Sequence, residues 1–317
     1  MEQMVKFIKK DFDDFMGRIT TDKVYHALNI QREIINSFVN FMKLREVKQL
    51  MPLMLSTETD PLNHSVFDTN IKYYENNLSL MKSMILHKQV ILSNPNIDSI
   101  YIISPNVRLE KRDEVIKGRH LIEFTQIDFE FKNQKKEFVK DFMEDLYIYI
   151  ISNLKKECAT DLNFFERNIE TPIKPFKTYD SFELQRYYGE DFEQKISNES
   201  TELFWIENFD RWFYDKESEE NPGVFLNYDI IYPEGFGEGS SGAERETNYE
   251  RLLKRMLKTN CNPQDYNNYL ELIKTKKIPN TAGAGIGVER LLRYICGIKN
   301  VEEVVPFAHN AGEHIVI

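Results

Sequence analysis

The 317-residue chain carries 41 Lys and Arg against 51 Asp and Glu, a formal net charge of −10, and 41% of it is hydrophobic. That composition belongs to a globular chain long enough for one sizeable core or two small ones, and its acid excess disfavours a protein whose main task is gripping nucleic-acid backbone. The longest apolar run, residues 146–151, falls far short of the roughly 20 residues that span a bilayer, and the N-terminal segment lacks the apolar stretch of an export signal, so a cytoplasmic protein with no membrane span is expected.

In chain order, residues 24–46 repeat Leu28, Ile34, Ile35, Phe38, Phe41 and Met42 at helical spacing, predicting an amphipathic helix that runs toward Pro52. A second helix is predicted over 78–92, with Leu80, Met84 and Ile85 on its apolar side. Two strand-like runs follow, 100–110 and 124–131, separated by the polar segment KRDEVIKGRHLIE; they read as a hairpin with a long loop. Beyond it the pattern predicts a helix over 139–155, an irregular aromatic stretch containing Trp205 and Trp212, and a strand over 224–232. A Gly- and Ser-rich turn leads to a helix over 246–259, and a glycine-rich run opens a last helix that Gly297 closes. Lys132, Lys135, Lys136 and Lys140, mixed with acids, read as a solvated helix face. Cys158, Cys261 and Cys296 are scattered and odd in number, which suits packing rather than a disulfide framework or a thiolate zinc site. Without repeats or a low-complexity linker, a single domain over 1–317 is expected.

Strand alternation makes EFTQIDFEF the most informative segment. Thr125, Ile127, Phe129 and Phe131 share one face, for the core, and Phe124, Gln126, Asp128 and Glu130 share the other. The second face sets a ring beside an amide and two carboxylates, an arrangement suited to stacking a base and binding an ammonium group; a half-exposed strand with a polar outer face shows the same pattern. On the partner strand, Arg108 and Glu110 are two apart, so either the arginine fork holds a phosphate that Glu110 helps orient, or the pair is a cross-strand salt bridge. Asp229, Glu238, Ser241 and Arg245 place oxygen ligands and a cation on a glycine-rich backbone, the donors Mg²⁺ takes beside nucleotide phosphates; an ordinary solvent loop is the other reading. The run Gly283 to Gly287 opens no βαβ unit and so is no dinucleotide fingerprint. Its glycines suit a close backbone approach to a ligand, with Arg290 one turn into the following helix.

Together these pieces resemble the three signature motifs of a class II aminoacyl-tRNA synthetase catalytic core of the aspartyl/asparaginyl branch. The helix ending near Pro52 resembles motif 1, Val107-Arg108-Leu109-Glu110 with Gly118-Arg119-His120 and Glu123-Phe124-Thr125-Gln126 resembles motif 2, and Gly285-Ile286-Gly287-Val288-Glu289-Arg290 resembles motif 3. The resemblance implies an α+β fold, an antiparallel six-stranded sheet flanked by helices, a homodimer formed through motif 1, and activation of an amino acid as its adenylate with ATP and Mg²⁺. Arg108 would meet the α-phosphate, helped by Glu110; Phe124 and Arg290 would flank the adenine; and Arg119 or His120 would reach the distal phosphates. Glu238 and Ser241, with Asp229, would hold the metal. Gln126 and Asp128 match positions that receive the α-ammonium, with Ser83 nearby, while Arg245 and Lys88 would face the substrate side chain. Two cations facing one side chain favour aspartate over asparagine. Glu58, Asp60 and His64, in STETDPLNH, fall on the substrate side without a clean match.

The branch carries an N-terminal anticodon-reading barrel of about 100 residues, for which this sequence leaves no room before motif 1. The resemblance is therefore greatest to the archaeal-type asparagine synthetase related to asparaginyl-tRNA synthetase. It implies amidation of β-aspartyl adenylate by ammonia, with Arg108 and Arg245 as the catalytic pair and no tRNA partner. The same residues also suit an amide ligase using another amine, or a paralogue transferring to tRNA or a carrier, while the presence of Arg108, Glu238, Ser241 and Arg290 argues against a regulatory paralogue without turnover.

Overall fold

The computed structural model describes residues 12–62, 64–111, 118–313 and 315. Its first long helix, α1 (Asp22–Leu44), starts where Thr21 Oγ1 accepts the Val24 amide, the usual way to satisfy a free helix-start N–H. Ala27, Ile30, Ile34, Phe38 and Phe41 form its buried stripe, three or four residues apart as one helix face requires. Leu28, assigned to that stripe from sequence, is 41% exposed, and the helix ends at Leu44 rather than near Pro52.

Two short strands, β1 (Lys48–Gln49) and β2 (Leu55–Ser56), follow. β2 pairs with β4 (Asn76–Leu80), which also pairs with β3 (Ile71–Tyr73), in a small three-stranded sheet. Residues 76–80 are therefore strand, and α2 is confined to Ile85–Ile91, correcting the helix predicted over 78–92.

The main sheet contains β5 (Ser99–Val107), β6 (Glu123–Lys132), β7 (Lys177–Asp180), β8 (Phe204–Glu207), β9 (Asn227–Tyr232), β10 (Gly237–Glu244) and β11 (Thr281–Gly287). With β1 the order is β1-β5-β6-β11-β10-β9-β8-β7. The six central strands are antiparallel, as expected from sequence, and a parallel strand closes each edge. β5 and β6 form the long-looped hairpin, with Ile102 opposite Asp128 and Asn106 opposite Phe124. The Gly/Ser-rich segment predicted as a turn is β10, and the glycine run predicted as a helix entry is β11, both near the middle of the sheet.

One sheet face carries Ile127, Phe129, Ile230, Tyr232, Ala284 and Ile286, all buried. Helices α1, α3 (Lys136–Glu157) and α9 (Val288–Cys296) lie in the same core cluster as these residues. The short helix α4 (Ala159–Phe164) borders this layer, whereas α5 (Ser181–Tyr188) and α6 (Phe192–Glu199) pack in a separate apolar cluster with Phe204, Ile206 and Ile231, which alternate to the other face. The opposite face carries Gln126, Asp128 and Glu130. A second apolar cluster lies on that side, built from α2, α7 (Tyr249–Lys258) and α8 (Asn267–Lys274) with Phe213 and Tyr214. The site lies between this cluster and the polar face.

Lys136 and Lys140 both pair with Glu207, so part of the basic patch ties α3 to the edge of the sheet. All three cysteines are free, with Cys158 and Cys296 buried.

Glu144 on α3 is a polar tie inside the apolar layer, accepting from Trp205 Nε1 at 2.8 Å and from the Phe176 amide at 3.0 Å. Glu144→Ala leaves two buried donors unsatisfied and is expected to cost about 2–4 kcal/mol. The check is the urea unfolding midpoint, and an unchanged midpoint would show that water replaces the carboxylate.

Candidate active site

The polar face is habitable because β11 is almost bare. A Cβ on Gly283 would sit 2.2 Å from Glu130 Oε2, and one on Gly285 would sit 2.1 Å from Gln126 Nε2 and 2.7 Å from Asp128 Oδ1. These glycines let the side chains of β6 lie flat across their neighbour strand. On β10 a register shift falls between Glu238 and Ser240. The bulge inserts one residue, so Glu238, opposite Ile231, and Ser241, opposite Asp229, face the same side although they are three apart.

The result is a cavity of about 430 Å³. Its lining includes Ser83 and Lys88 from α2 and its approach, Arg108 and Glu110 after β5, and Arg119 and His120 before β6. Phe124, Gln126 and Asp128 come from β6, Glu238, Ser241 and Arg245 from β10 and its exit, and Arg290 from α9. Asp60 and His64 close one side. Residues scattered over more than 200 positions of sequence are thus gathered around one space.

One end is rich in guanidinium. Arg108 donates from Nε to the Lys82 carbonyl at 3.2 Å, lies over the Phe124 ring at 5.1 Å, and approaches Asp60 Oδ2 at 3.9 Å. Arg290 pairs with Glu238 at 3.0 Å, and Arg119 lies 3.8 Å from Glu238 and 3.3 Å from Glu193. Burial would raise the Glu238 carboxyl, but Arg290, Arg119 and Arg211 outweigh it and hold it down at about 2. His120 is pushed down to about 3, first by burial and then by the Arg290 and Arg119 charges, so its imidazole is neutral in this setting. Glu110 pairs with His64 at 2.6 Å, and Val66 bridges Glu110 through the backbone. Glu110 therefore also anchors His64 and Val66.

The other end is a bed of paired charges. Glu130, fully buried, receives Arg245 through Nε at 2.9 Å and Nη2 at 3.1 Å, Thr281 Oγ1 at 2.8 Å, and Lys88 at 3.3 Å. Burial raises its carboxyl, and the cations Arg245 and Lys88 reverse that and hold it below the usual carboxylate range. Lys88 also contacts Asp128 Oδ1 at 3.0 Å, while Asp128 Oδ2 is buried without a hydrogen-bond partner. Gln126 is held by the Asn106 amide at 2.8 Å.

Of the residues placed at the site from sequence, Asp229 and Glu58 do not line this cavity. Both Asp229 oxygens are taken by Arg211, at 2.6 and 2.9 Å. A cation at Asp229 would have to share its oxygens with that guanidinium, as one at Glu238 would with Arg290. Glu238 and Ser241 remain as adjacent hard oxygen donors, which fit a divalent ion whose other ligands come from phosphates. Among the described residues there is no group of three His, Cys, Asp or Glu side chains placed to hold a metal on their own. Glu58 turns away from the cavity and accepts the Asn268 and Tyr269 amides at the start of α8. Sequence reasoning missed Glu130 as the common partner of Lys88 and Arg245, and it missed Arg211, Tyr214 and Asp215. Of the last three only the Arg211–Asp215 spacing of four carried any signal.

The antiparallel sheet, the guanidinium end and the glycine-lined floor are those of a class II synthetase core. A family model described as tRNA synthetases class II (D, K and N) matches residues 12–311, and the chain belongs to that family. The aspartate–tRNA(Asp) ligase of Pyrococcus furiosus is 31% identical over 259 residues, 75% of this chain and 58% of the relative. The asparagine–tRNA ligase of Thermoplasma acidophilum is 26% identical over 301 residues, 89% of this chain and 68% of the relative. The chain thus spans between about half and two thirds of these relatives' length. The crystal structure of asparaginyl-tRNA synthetase from Pyrococcus horikoshii complexed with asparaginyl-adenylate superposes with a TM-score of 0.83 at 23% identity, over 94% of this chain and 71% of that one.

The His120 environment carries a pH signature. An imidazole at about 3 when folded and near 6.5 when unfolded binds its proton more readily in the unfolded chain, so its contribution is complete above pH 6.5 and is lost progressively as pH falls toward 3. His120→Asn should make the fall in unfolding free energy between about pH 6.5 and 4.5 shallower than in the parent, measured by denaturant titration at stepped pH. Parallel curves would mean that His120 titrates normally.

Proposed function

We propose that this chain is an AMP-forming ligase that activates aspartate with ATP and passes the acyl group to ammonia, yielding asparagine. The observation that carries this reading is the polarity of one cavity. Three guanidiniums, Arg108, Arg119 and Arg290, stand at one end, and a bed of buried carboxylates and cations suited to an amino acid lies at the other. Arg108 lies beside the Phe124 ring, so a base resting on that ring would bring its α-phosphate to the guanidinium. There Arg108 offsets the negative charge that gathers as a carboxylate oxygen attacks phosphorus. Glu238 and Ser241 would hold Mg²⁺ with the phosphate oxygens, the metal supplying further charge neutralisation. The unpartnered Asp128 Oδ2 is a ready acceptor for an ammonium group.

A net charge of −10 favours a small amine over a nucleic acid as acceptor. The second reading, transfer to tRNA, is favoured by the activity named for the Pyrococcus and Thermoplasma relatives. A homodimer through the α1 region belongs to either reading.

The test is incubation of the purified protein with Mg²⁺-ATP, aspartate and ammonium, omitting each in turn, with AMP and the amino-acid product quantified. Asparagine and AMP forming together only in the full mixture is the expected result. Pyrophosphate exchange without asparagine would remove ammonia as acceptor and leave the tRNA reading. Arg108→Ala, checked for native circular dichroism, should lower pyrophosphate release by about 10²–10³-fold; undiminished release would take Arg108 away from the phosphorus.

A further inference from the structure

Behind the guanidinium end of the cavity stands a carboxylate that does not line it. Glu193, on α6, accepts through Oε1 from Arg119 Nη2 at 3.3 Å and from the Glu238 backbone amide at 3.0 Å. One oxygen thus ties Arg119 to the bulge that carries Glu238.

The helix that presents this oxygen is itself held firmly. Gln194 Nε2 donates to the Gly235 carbonyl at 3.1 Å, and Ser197 Oγ donates to the Tyr232 carbonyl at 2.6 Å and accepts the Gly237 amide at 3.0 Å. With Glu193, α6 therefore grips the turn between β9 and β10 from Tyr232 to Glu238. Gly237, at φ +72°, supplies the room: a Cβ there would lie 2.9 Å from Arg119 Nη1.

The charges give the contact its purpose. Arg119 and Arg290 both reach Glu238, at 3.8 and 3.0 Å, and one carboxylate shared by two guanidiniums leaves them repelling each other. Burial and then the Arg290 charge push Arg119 below the usual arginine value, and Glu193 is among the charges that oppose this. Glu193 gives Arg119 a carboxylate of its own. The fork is anchored at Nη2, and its Nε is buried without a hydrogen-bond partner, so donors remain for an anion.

We infer that Glu193 is a positioning residue that aims Arg119 at the distal phosphates of a bound nucleoside triphosphate, and so sets a preference for triphosphate over monophosphate. The inference rests on the proposed use of ATP and is independent of which acceptor takes the acyl group.

Equilibrium binding tests it without turnover, with Kd for Mg²⁺-ATP and for AMP measured by titration calorimetry. Simple charge repulsion predicts that removing an acid near phosphates tightens ATP binding; positioning predicts the reverse. Glu193→Ala should weaken Mg²⁺-ATP binding about tenfold or more and leave AMP binding within about twofold of the parent. Glu193→Gln, whose amide oxygen can still accept from Arg119 and the Glu238 amide, should stay within about threefold of the parent for both ligands. Unchanged or tighter ATP binding by Glu193→Ala would overturn the inference. Equal losses for ATP and AMP would also overturn it, since a residue that only holds the fold behaves so, and so would Glu193→Gln binding ATP as weakly as Glu193→Ala. A parent protein that binds neither nucleotide would overturn the ATP reading of the cavity as well.

Discussion

The site depends on one buried carboxylate. Glu130 has no exposure to solvent and accepts from Arg245, Lys88 and Thr281. It joins α2, the exit of β10 and the start of β11 to the middle of β6. Its desolvation is tolerable because all three partners converge on it; losing Arg245 or Lys88 would leave charge stranded in the interior, a loss of about 3–5 kcal/mol. The same cluster fixes where Lys88 and Arg245 can point. Because their reach is spent on Glu130, what they offer a ligand is an edge of each cation, and the ligand must fit charges already in balance.

That constraint explains the composition of the strand beside it. Gly283 and Gly285 leave the room that Glu130, Gln126 and Asp128 occupy, and the opposite side chains of the same strand, Ala284 and Ile286, pack in the apolar layer. One strand thus serves two chemistries, bare on the polar face and filled on the core face. Such an arrangement gives almost no hydrophobic alternation, which is why β10 and β11 read from sequence as a turn and a helix entry. β6 was legible because polar and apolar positions alternate from Gln126 to Lys132, and β5 because Ile100–Ile103 is a short apolar run of strand-forming residues. The helix predicted over 78–92 failed for a different reason. Residues 76–80 are recruited to a sheet by pairing with Leu55, Ser56 and Ile71–Tyr73, partners that local spacing cannot reveal.

The site was more legible than the fold around it. Arg108, Arg245, Arg290 and Lys88 stood out as cations within recognisable motifs, and the structure gathers them around one cavity. What stayed hidden was their neutralisation. Asp215 and Arg211 sit in an irregular stretch, and their importance arises from the bridge that sets Asp215 opposite Arg245. Asp229 drew attention through composition alone, and a guanidinium from that same stretch occupies both its oxygens.

The bulge on β10 sets the phase of the whole strand. Upstream of it, Glu238 keeps step with Ile231; downstream, Ser241 and Ala243 keep step with Asp229 and Asn227. Losing that one residue would restore strict alternation and turn either Glu238 or everything after it to the opposite face. The Glu238 and Ser241 oxygens would then be split between two sides of the sheet, with composition almost untouched. For this cavity the length of the strand is as much a part of the chemistry as the identity of its side chains, and one backbone unit separates a working oxygen pair from a split one.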